Sequence, residues 1–326
     1  MGAVLTRPSI DLDAATAVLV AQWGIEGDLR ALPSERDRNF AVAIAGVNRF
    51  VLKVSNARED RANLELQHEA MRRLGAAGVP CQVPVATLGG VEVVDIGTRD
   101  RPSLTRLLTW LPGRPLATIP PGDRPDVLVR DLGRTMGRTT AGLVGFDLPA
   151  AHRRFQWSAE DGLAVIAAHA PAVTDPDRAA LLASWRRRLG LLAAILPGLR
   201  HGVIHNDAND HNILVSDDGS SVSGVLDLGD AVWSVLVNEL AVAAAYAALD
   251  TTDPLAVIES VRAGFEETHP LFEGERAVVL DLVALRLATS VALSAHQSRL
   301  DPDDLYLTVS EAPAWALLGA LDGVAR

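Results

Sequence analysis

One cysteine and one lysine stand in a chain of 326 residues. A single cysteine, Cys81, excludes a disulfide framework within the chain and any zinc site built from several cysteines. The thiol is expected to act as a small buried hydrophobe. The scarcity of lysine is more pointed. Of 30 basic residues only Lys53 carries an ammonium; the rest are arginine. Arginine is a wide planar fork and lysine a compact point charge, so a site that needs the point charge would explain the exception.

Positive balance is missing too. With 41 acidic residues the net charge is −11, which argues against a nucleic-acid binder with its usual basic face. It suits a cationic small molecule better than an acidic one. The stretch MGAVLTRPSIDLDAATAVLV has no basic start followed by an apolar core, so no signal peptide is expected. No uninterrupted apolar run reaches the roughly 18 residues of a membrane span. The expectation is a cytoplasmic protein with no membrane and no nucleic-acid partner.

What the chain does have is apolar content, 48% of residues, enough for a sizeable core, in a length that suggests about two domains. Residues 11–24 have the spacing of a short helix ending at Gly24. Phe40 to Ala45 and Phe50 to Val54 read as strands joined through Gly46-Val47-Asn48, which places Lys53 on the return strand of a hairpin. A helix closed by Gly78 follows, then two strands around Gly89-Gly90, then a strand that stops at Pro112-Gly113. Composition and periodicity change there. Beyond it the chain reads as helical, except for residues 203–231, where short strands flank a polar loop.

That loop begins HNDANDHNILV, residues 205 to 215. His205 and His211 are six apart in an irregular segment, which fits neither the one-turn helical spacing of zinc hydrolases nor the paired spacing of structural zinc sites. A phosphotransferase makes other demands: a carboxylate at the acceptor hydroxyl, an oxygen ligand for magnesium a few residues on, a second carboxylate from another strand, and a distant lysine for the phosphates. Asp207 and Asn212 have the Asp-x-x-x-x-Asn spacing of a kinase catalytic loop. The strand from Ile213, the turn at DDGS and the return VSGVLDLGDA deliver Asp227 with Leu228-Gly229. This hairpin is expected to bring Asp227 beside Asn212.

With these motifs the sequence resembles the aminoglycoside phosphotransferase and choline kinase superfamily of protein-kinase-like enzymes. The resembling residues are His205 to Asn212 and Asp227-Leu228-Gly229-Asp230. Within it the likeness is to hydroxylysine kinases and to kinase domains fused to class III aminotransferases, through NDHNILV, GDA, NELA, ERDRNF and LLTWLPGRPL, over roughly residues 10 to 320.

The resemblance implies an α+β, bilobal protein-kinase-like fold: a nucleotide-binding lobe over residues 1–106 with a small antiparallel sheet, a hinge over 107–113, and a larger helical lobe over 114–326 that carries the catalytic and metal loops and the acceptor site. It implies Asp207 as the catalytic carboxylate, Asn212 and Asp227 as Mg2+ ligands, and Lys53 on the phosphates of ATP, or of GTP in its place. Glu65 or Glu69, one turn apart on the next helix, would hold the lysine. Arg36 and Asn39 would touch phosphates, and Thr109, Trp110 and Leu111 would offer backbone groups to adenine. His205 is expected to support the loop. Asp210, His211 and Trp157 face either acceptor or surroundings, and Asp230 either assists the metal or caps the next segment. The implied reaction is phosphorylation of a hydroxyl on an amino alcohol or hydroxylated amino acid, a cationic or zwitterionic small molecule. The rivals are aminoglycoside inactivation and a nucleotide-binding module without turnover.

Overall fold

Alternation through residues 38–54 becomes a tight hairpin. In the computed structural model, which describes residues 8–34, 37–97, 102–300 and 311–324, Ala45 and Gly46 both take positive φ (50° and 77°). Two such residues in sequence form the turn whose twist matches that of the flanking strands. The turn therefore lies one residue earlier than the Gly46-Val47-Asn48 expected. The chain separates into two compact units, one of residues 1–75 and 80–112, the other of 76–79 and 113–326.

In the first unit, helix α1 (Leu12–Trp23) is capped by Asp11, whose Oδ1 accepts from Ala14 N–H at 2.8 Å, and closes at Gly24 with φ 65°. Strands β1 (Asp28–Leu32), β2 (Arg38–Ile44) and β3 (Val47–Val54) lead to helix α2 (Arg61–Ala76). The short β4 (Pro84–Val85) and β5 (Val94–Asp95) both pair with β6 (Leu104–Thr109). The sheet runs β1-β2-β3-β6-β4 and is antiparallel throughout. β1 escaped the sequence reading because DLRAL has no clean alternation, and its residues are half-buried or exposed.

Register sorts the two faces. Phe40, Leu52 and Leu107 lie opposite one another across β2, β3 and β6 and pack against Ala15, Leu19 and Trp23 of α1. The next row, Asn39, Lys53 and Arg106, therefore lies on the other face. Lys53 and Arg106 are both buried.

The second unit is mainly helical. β7 (Arg114–Pro115) precedes α3 (Asp126–Leu143), α4 (Ala159–His169), α5 (Pro176–Leu189) and the single turn α6 (Leu192–Ile195). Four short strands follow: β8 (His201–Ile204), β9 (Ile213–Val215), β10 (Val222–Val225) and β11 (Val232–Val235). They form two small sheets, β10-β9-β7 and β11-β8, both antiparallel. Then come α7 (Val237–Ala248), α8 (Pro254–Glu266), α9 (Glu273–Leu300) and α10 (Glu311–Val324). By length and composition α9 could cross a membrane, but 78% of its apolar window is buried inside the protein. It is the core helix of this unit.

Candidate active site

The catalytic-loop candidate starts where β8 ends. His205, 0% exposed, donates its backbone N–H to Glu239 Oε2 at 2.6 Å. Glu239 sits in the first turn of α7, fully buried, and burial pushes its carboxyl above the ordinary value. The imidazole is held at both ends: Nε2 lies 2.7 Å from Leu226 O, and Nδ1 accepts from Asp207 N–H at 3.1 Å. These partners assign the proton to Nε2 and leave the ring no free nitrogen for proton transfer. Asn206 adopts φ 67° and is buried; its amide donates to Trp157 O and its Oδ1 accepts from Asn238. A left-handed asparagine is tolerated when its short side chain is bonded locally.

Asp207 is thereby turned with its two carboxylate oxygens divided. Asn212 Nδ2 donates to Oδ2 at 2.7 Å and to the backbone carbonyl of Asp207 at 3.0 Å. Oδ1 accepts from Asn209 Nδ2 at 3.0 Å and from Arg286 Nη2 at 3.2 Å. Burial raises the carboxyl to about 6; the Arg286 guanidinium and the two amides oppose that shift, and the neighbouring Asp227 adds to it. Near neutral pH a carboxyl raised to about 6 is mostly ionised and a stronger base than an ordinary carboxylate.

The middle of the motif is partly tied down. Asn209 Oδ1 accepts the N–H groups of His211 and Asn212. Asp210 is tied to the buried Arg124 at 3.2 Å, and its carbonyl accepts from Ala117 N–H. His211 is exposed.

Leu226 N–H donates to Asn212 O at 2.8 Å, which places Asp227 one residue beyond that bond. Asp227 is exposed, has φ 55°, and accepts from Gly229 N–H at 3.0 Å. Leu228 is buried behind it. Arg153 Nη2 clamps the turn by donating to Gly229 O and Ala231 O, at 2.7 and 3.2 Å. Asp230, half-buried, lies close enough to Tyr246 and Arg286 to affect both electrostatically.

In the first unit Asn39 and Arg106 flank Lys53 directly across the sheet. Glu69 is engaged by Arg72 and Arg73, at 2.9 and 3.1 Å, and Glu65 is exposed. Arg36 lies outside the described residues. The segment expected to meet adenine narrows. Thr109 N–H bonds Val83 O, its carbonyl accepts from Gln82, and Trp110 N–H bonds Arg49 O. Among the described residues these bonds leave the Trp110 carbonyl and the Leu111 N–H for a ligand.

Residues 28–277 match the family model of the Phosphotransferase enzyme family, APH. The chain belongs to that family. Two relatives named hydroxylysine kinase are similar over nearly their whole lengths. That of Bos taurus is 30% identical across 99% of this chain and 92% of its own, and that of Danio rerio 31% across 94% and 89%. Among solved structures, an amicoumacin kinase in complex with AMP-PNP, Ca2+ and Ami has a TM-score of 0.73 at 15% identity, covering 96% of this chain and 94% of its own. A microcompartment-associated aminopropanol kinase also scores 0.73, at 17% identity, covering 96% and 98%. The α+β, protein-kinase-like fold class expected from the sequence therefore holds, and this phosphotransferase is an ATP-dependent kinase.

Sequence reasoning missed four arginine and tyrosine side chains of the phosphotransferase's second unit. Arg124 and Arg153 brace the two loops. Arg286 and Tyr246 stand beside Asp207. For Arg286 a signal existed: it is the one charged residue between Asp281 and His296 in an apolar helix, and a charge on such a face requires a partner.

Proposed function

We propose that this phosphotransferase moves the γ-phosphoryl group of ATP, with Mg2+ as its metal, onto the hydroxyl of a hydroxylated amino acid of the hydroxylysine kind. One observation carries the reading: nearly full-length relatives bear the name hydroxylysine kinase, and the loop geometry of Asp207, Asn212 and Asp227 supports it. The same reading puts the enzyme in the cytoplasm, where ATP is available.

Asp207 is the carboxylate that aligns the acceptor hydroxyl. As the hydroxyl oxygen attacks the γ-phosphorus, an O–P bond forms and the bond to the β–γ bridging oxygen breaks. ADP leaves with that electron pair, and the hydroxyl proton passes to Asp207 late in the step. Such a transition state is loose, so the chain's work is positioning and charge neutralisation.

Asn212 commits its NH2 to Asp207, which turns its amide oxygen away and leaves it for a metal. With the exposed carboxylate of Asp227 it makes a pair of hard oxygen donors, the kind Mg2+ accepts while taking its other ligands from phosphates and water. Asn212 and Asp227 would hold Mg2+, which would supply charge neutralisation at the phosphates. Lys53 is assigned to the α- and β-phosphates, with Asn39 opposite it as a further polar contact. The Trp110 carbonyl and Leu111 N–H are assigned to adenine.

A nucleotide-consumption assay with Mg2+ across hydroxylysine, homoserine, ethanolamine, choline and aminoglycosides tests the reading. The expected result is hydroxylysine-dependent consumption that falls roughly 10²- to 10⁴-fold in Asp207→Asn while nucleotide affinity is kept. Turnover confined to aminoglycosides, or full activity in Asp207→Asn, overturns it.

A further inference from the structure

Arg286 is a buried cation with poor company. Only 6% of it is exposed. Its guanidinium lies over the Trp157 ring at 4.3 Å and the Tyr246 ring at 5.5 Å, and its N–H donors lie along its edge. Along that edge the bonds are long: Nη2 to Asp207 Oδ1 at 3.2 Å, Nη2 to Tyr246 OH at 3.4 Å, and Nη1 to Trp157 O at 3.4 Å. A settled guanidinium–carboxylate pair bonds at about 2.7 to 2.9 Å, commonly through two parallel bonds. A further donor, Nε, is buried and has no hydrogen-bond partner. A desolvated charge left this far from satisfied points to an anion that completes it.

The side of Asp207 on which Arg286 sits decides which anion. Asn212, the candidate metal ligand, holds Oδ2; Arg286 holds Oδ1. Arg286 also lines a small hollow with Tyr246, Leu249, Leu287, Ser290 and Ala314, contributed by α7, α9 and α10. An acceptor that carries only amines would bring positive charge against this cation. A zwitterion brings a carboxylate that matches it.

We infer that Arg286 is the residue that recognises the acceptor's carboxylate, which makes this enzyme selective for hydroxylated amino acids over amino alcohols and amino sugars. The inference rests on the reading that the acceptor is a hydroxylated amino acid of the hydroxylysine kind. In the bound state the guanidinium bridges two anions. Nη2 stays on Asp207 and holds that carboxylate aimed at the hydroxyl, while the remaining edge takes the acceptor carboxylate. Substrate orientation and base orientation thus depend on one side chain.

The test compares hydroxylysine with hydroxycadaverine, the same molecule without its carboxylate, using the full chain with Mg2+ and ATP. Wild type is expected to favour hydroxylysine in kcat/KM by roughly 10- to 100-fold, the range for a hydrogen bond to a charged group. In Arg286→Gln that preference should collapse towards one, chiefly through a higher KM for hydroxylysine. Arg286→Lys, which keeps the charge but not the fork, should retain part of it. A wild-type ratio near one with both acceptors turned over overturns this inference alone, and needs no variant that must fold. An Arg286→Gln variant that keeps the wild-type preference for hydroxylysine over hydroxycadaverine also overturns it, because an equal fall in kcat for both acceptors would report only the contact with Asp207. Turnover of neither acceptor by wild type overturns the parent reading and this inference with it.

Discussion

Asp207 holds a charge that its surroundings oppose. Its carboxyl moves from an ordinary 3.8 to about 6, with burial as the leading cause and Arg286 only partly offsetting it. The consequence for stability has a definite sign. Between those two values the folded protein keeps a proton that the unfolded chain has released, so stability falls as pH rises from about 4 to about 6 and stays lowered above. Asparagine at this position has no such titration. Asp207→Asn should therefore gain stability relative to wild type as pH is raised from 5 to 7.5, by on the order of 2 kcal/mol at the upper end. Denaturation of the metal-free protein at several pH values measures it; a difference independent of pH would refute the burial argument. A variant that loses the reaction while gaining stability is the expected signature of a site in which geometry is kept against the preference of its groups.

At the scale of elements, the packing of α3 on α8 turns on glycines. A Cβ at Gly133 would lie 1.9 Å from Val261 O, and one at Gly264 would lie 1.9 Å from Arg130 O. In an open helix, glycine is disfavoured by about 1 kcal/mol relative to alanine, so its presence in the middle of two facing helices has a steric reason. Gly133→Ala should lower stability by about 3 kcal/mol or more, because backbone rather than a flexible side chain must move. Gly319→Ala in α10, where nothing lies within 4 Å of the added carbon, should raise stability by about 0.5 to 1 kcal/mol. Opposite shifts in the thermal midpoint for the same substitution decide the point; a gain at Gly133 would contradict the close approach. The same scale explains what could be read in advance. The β2–β3 hairpin, α2 and the β9–β10 return were legible because periodicity and turn residues act locally. The Asp207, Asn212 and Asp227 spacing was legible because a loop and a hairpin of fixed length bring those residues together. Arg286 was not, since it reaches Asp207 across 79 residues, and only the packing of α9 against α7 and α4 brings it there. Nor could sequence tell that Asp210 belongs to Arg124, 86 residues away; the bonds of Glu69 to Arg72 and Arg73 follow helical three- and four-residue spacing and could have been read in advance.

Across the whole molecule, composition makes Lys53 a reporter. The chain carries −11 net charge and distributes arginine everywhere except at this one buried position of the first unit's sheet. An anionic nucleotide gains nothing from the overall field of such a protein, so its phosphates depend on local cations. Lys53, beside Arg106 in the same row and on the face away from α1, is the chain's one ε-amine and the cation proposed for them. An ATP-derived acyl phosphate, which transfers its acyl group to an amine held against the phosphates, should label this chain at one lysine, on the peptide that contains Lys53. Excess ATP with Mg2+ should suppress that labelling, and the loss of activity should follow the fraction labelled. Lys53→Arg should abolish labelling and raise the KM for ATP by roughly tenfold or more, because a planar fork cannot stand in for a point charge where two phosphates converge. Mass spectrometry of the intact and digested protein reads both outcomes. Labelling of Lys53 that ATP does not suppress would separate this lysine from the nucleotide and move the phosphate contacts to Arg106 and its neighbours.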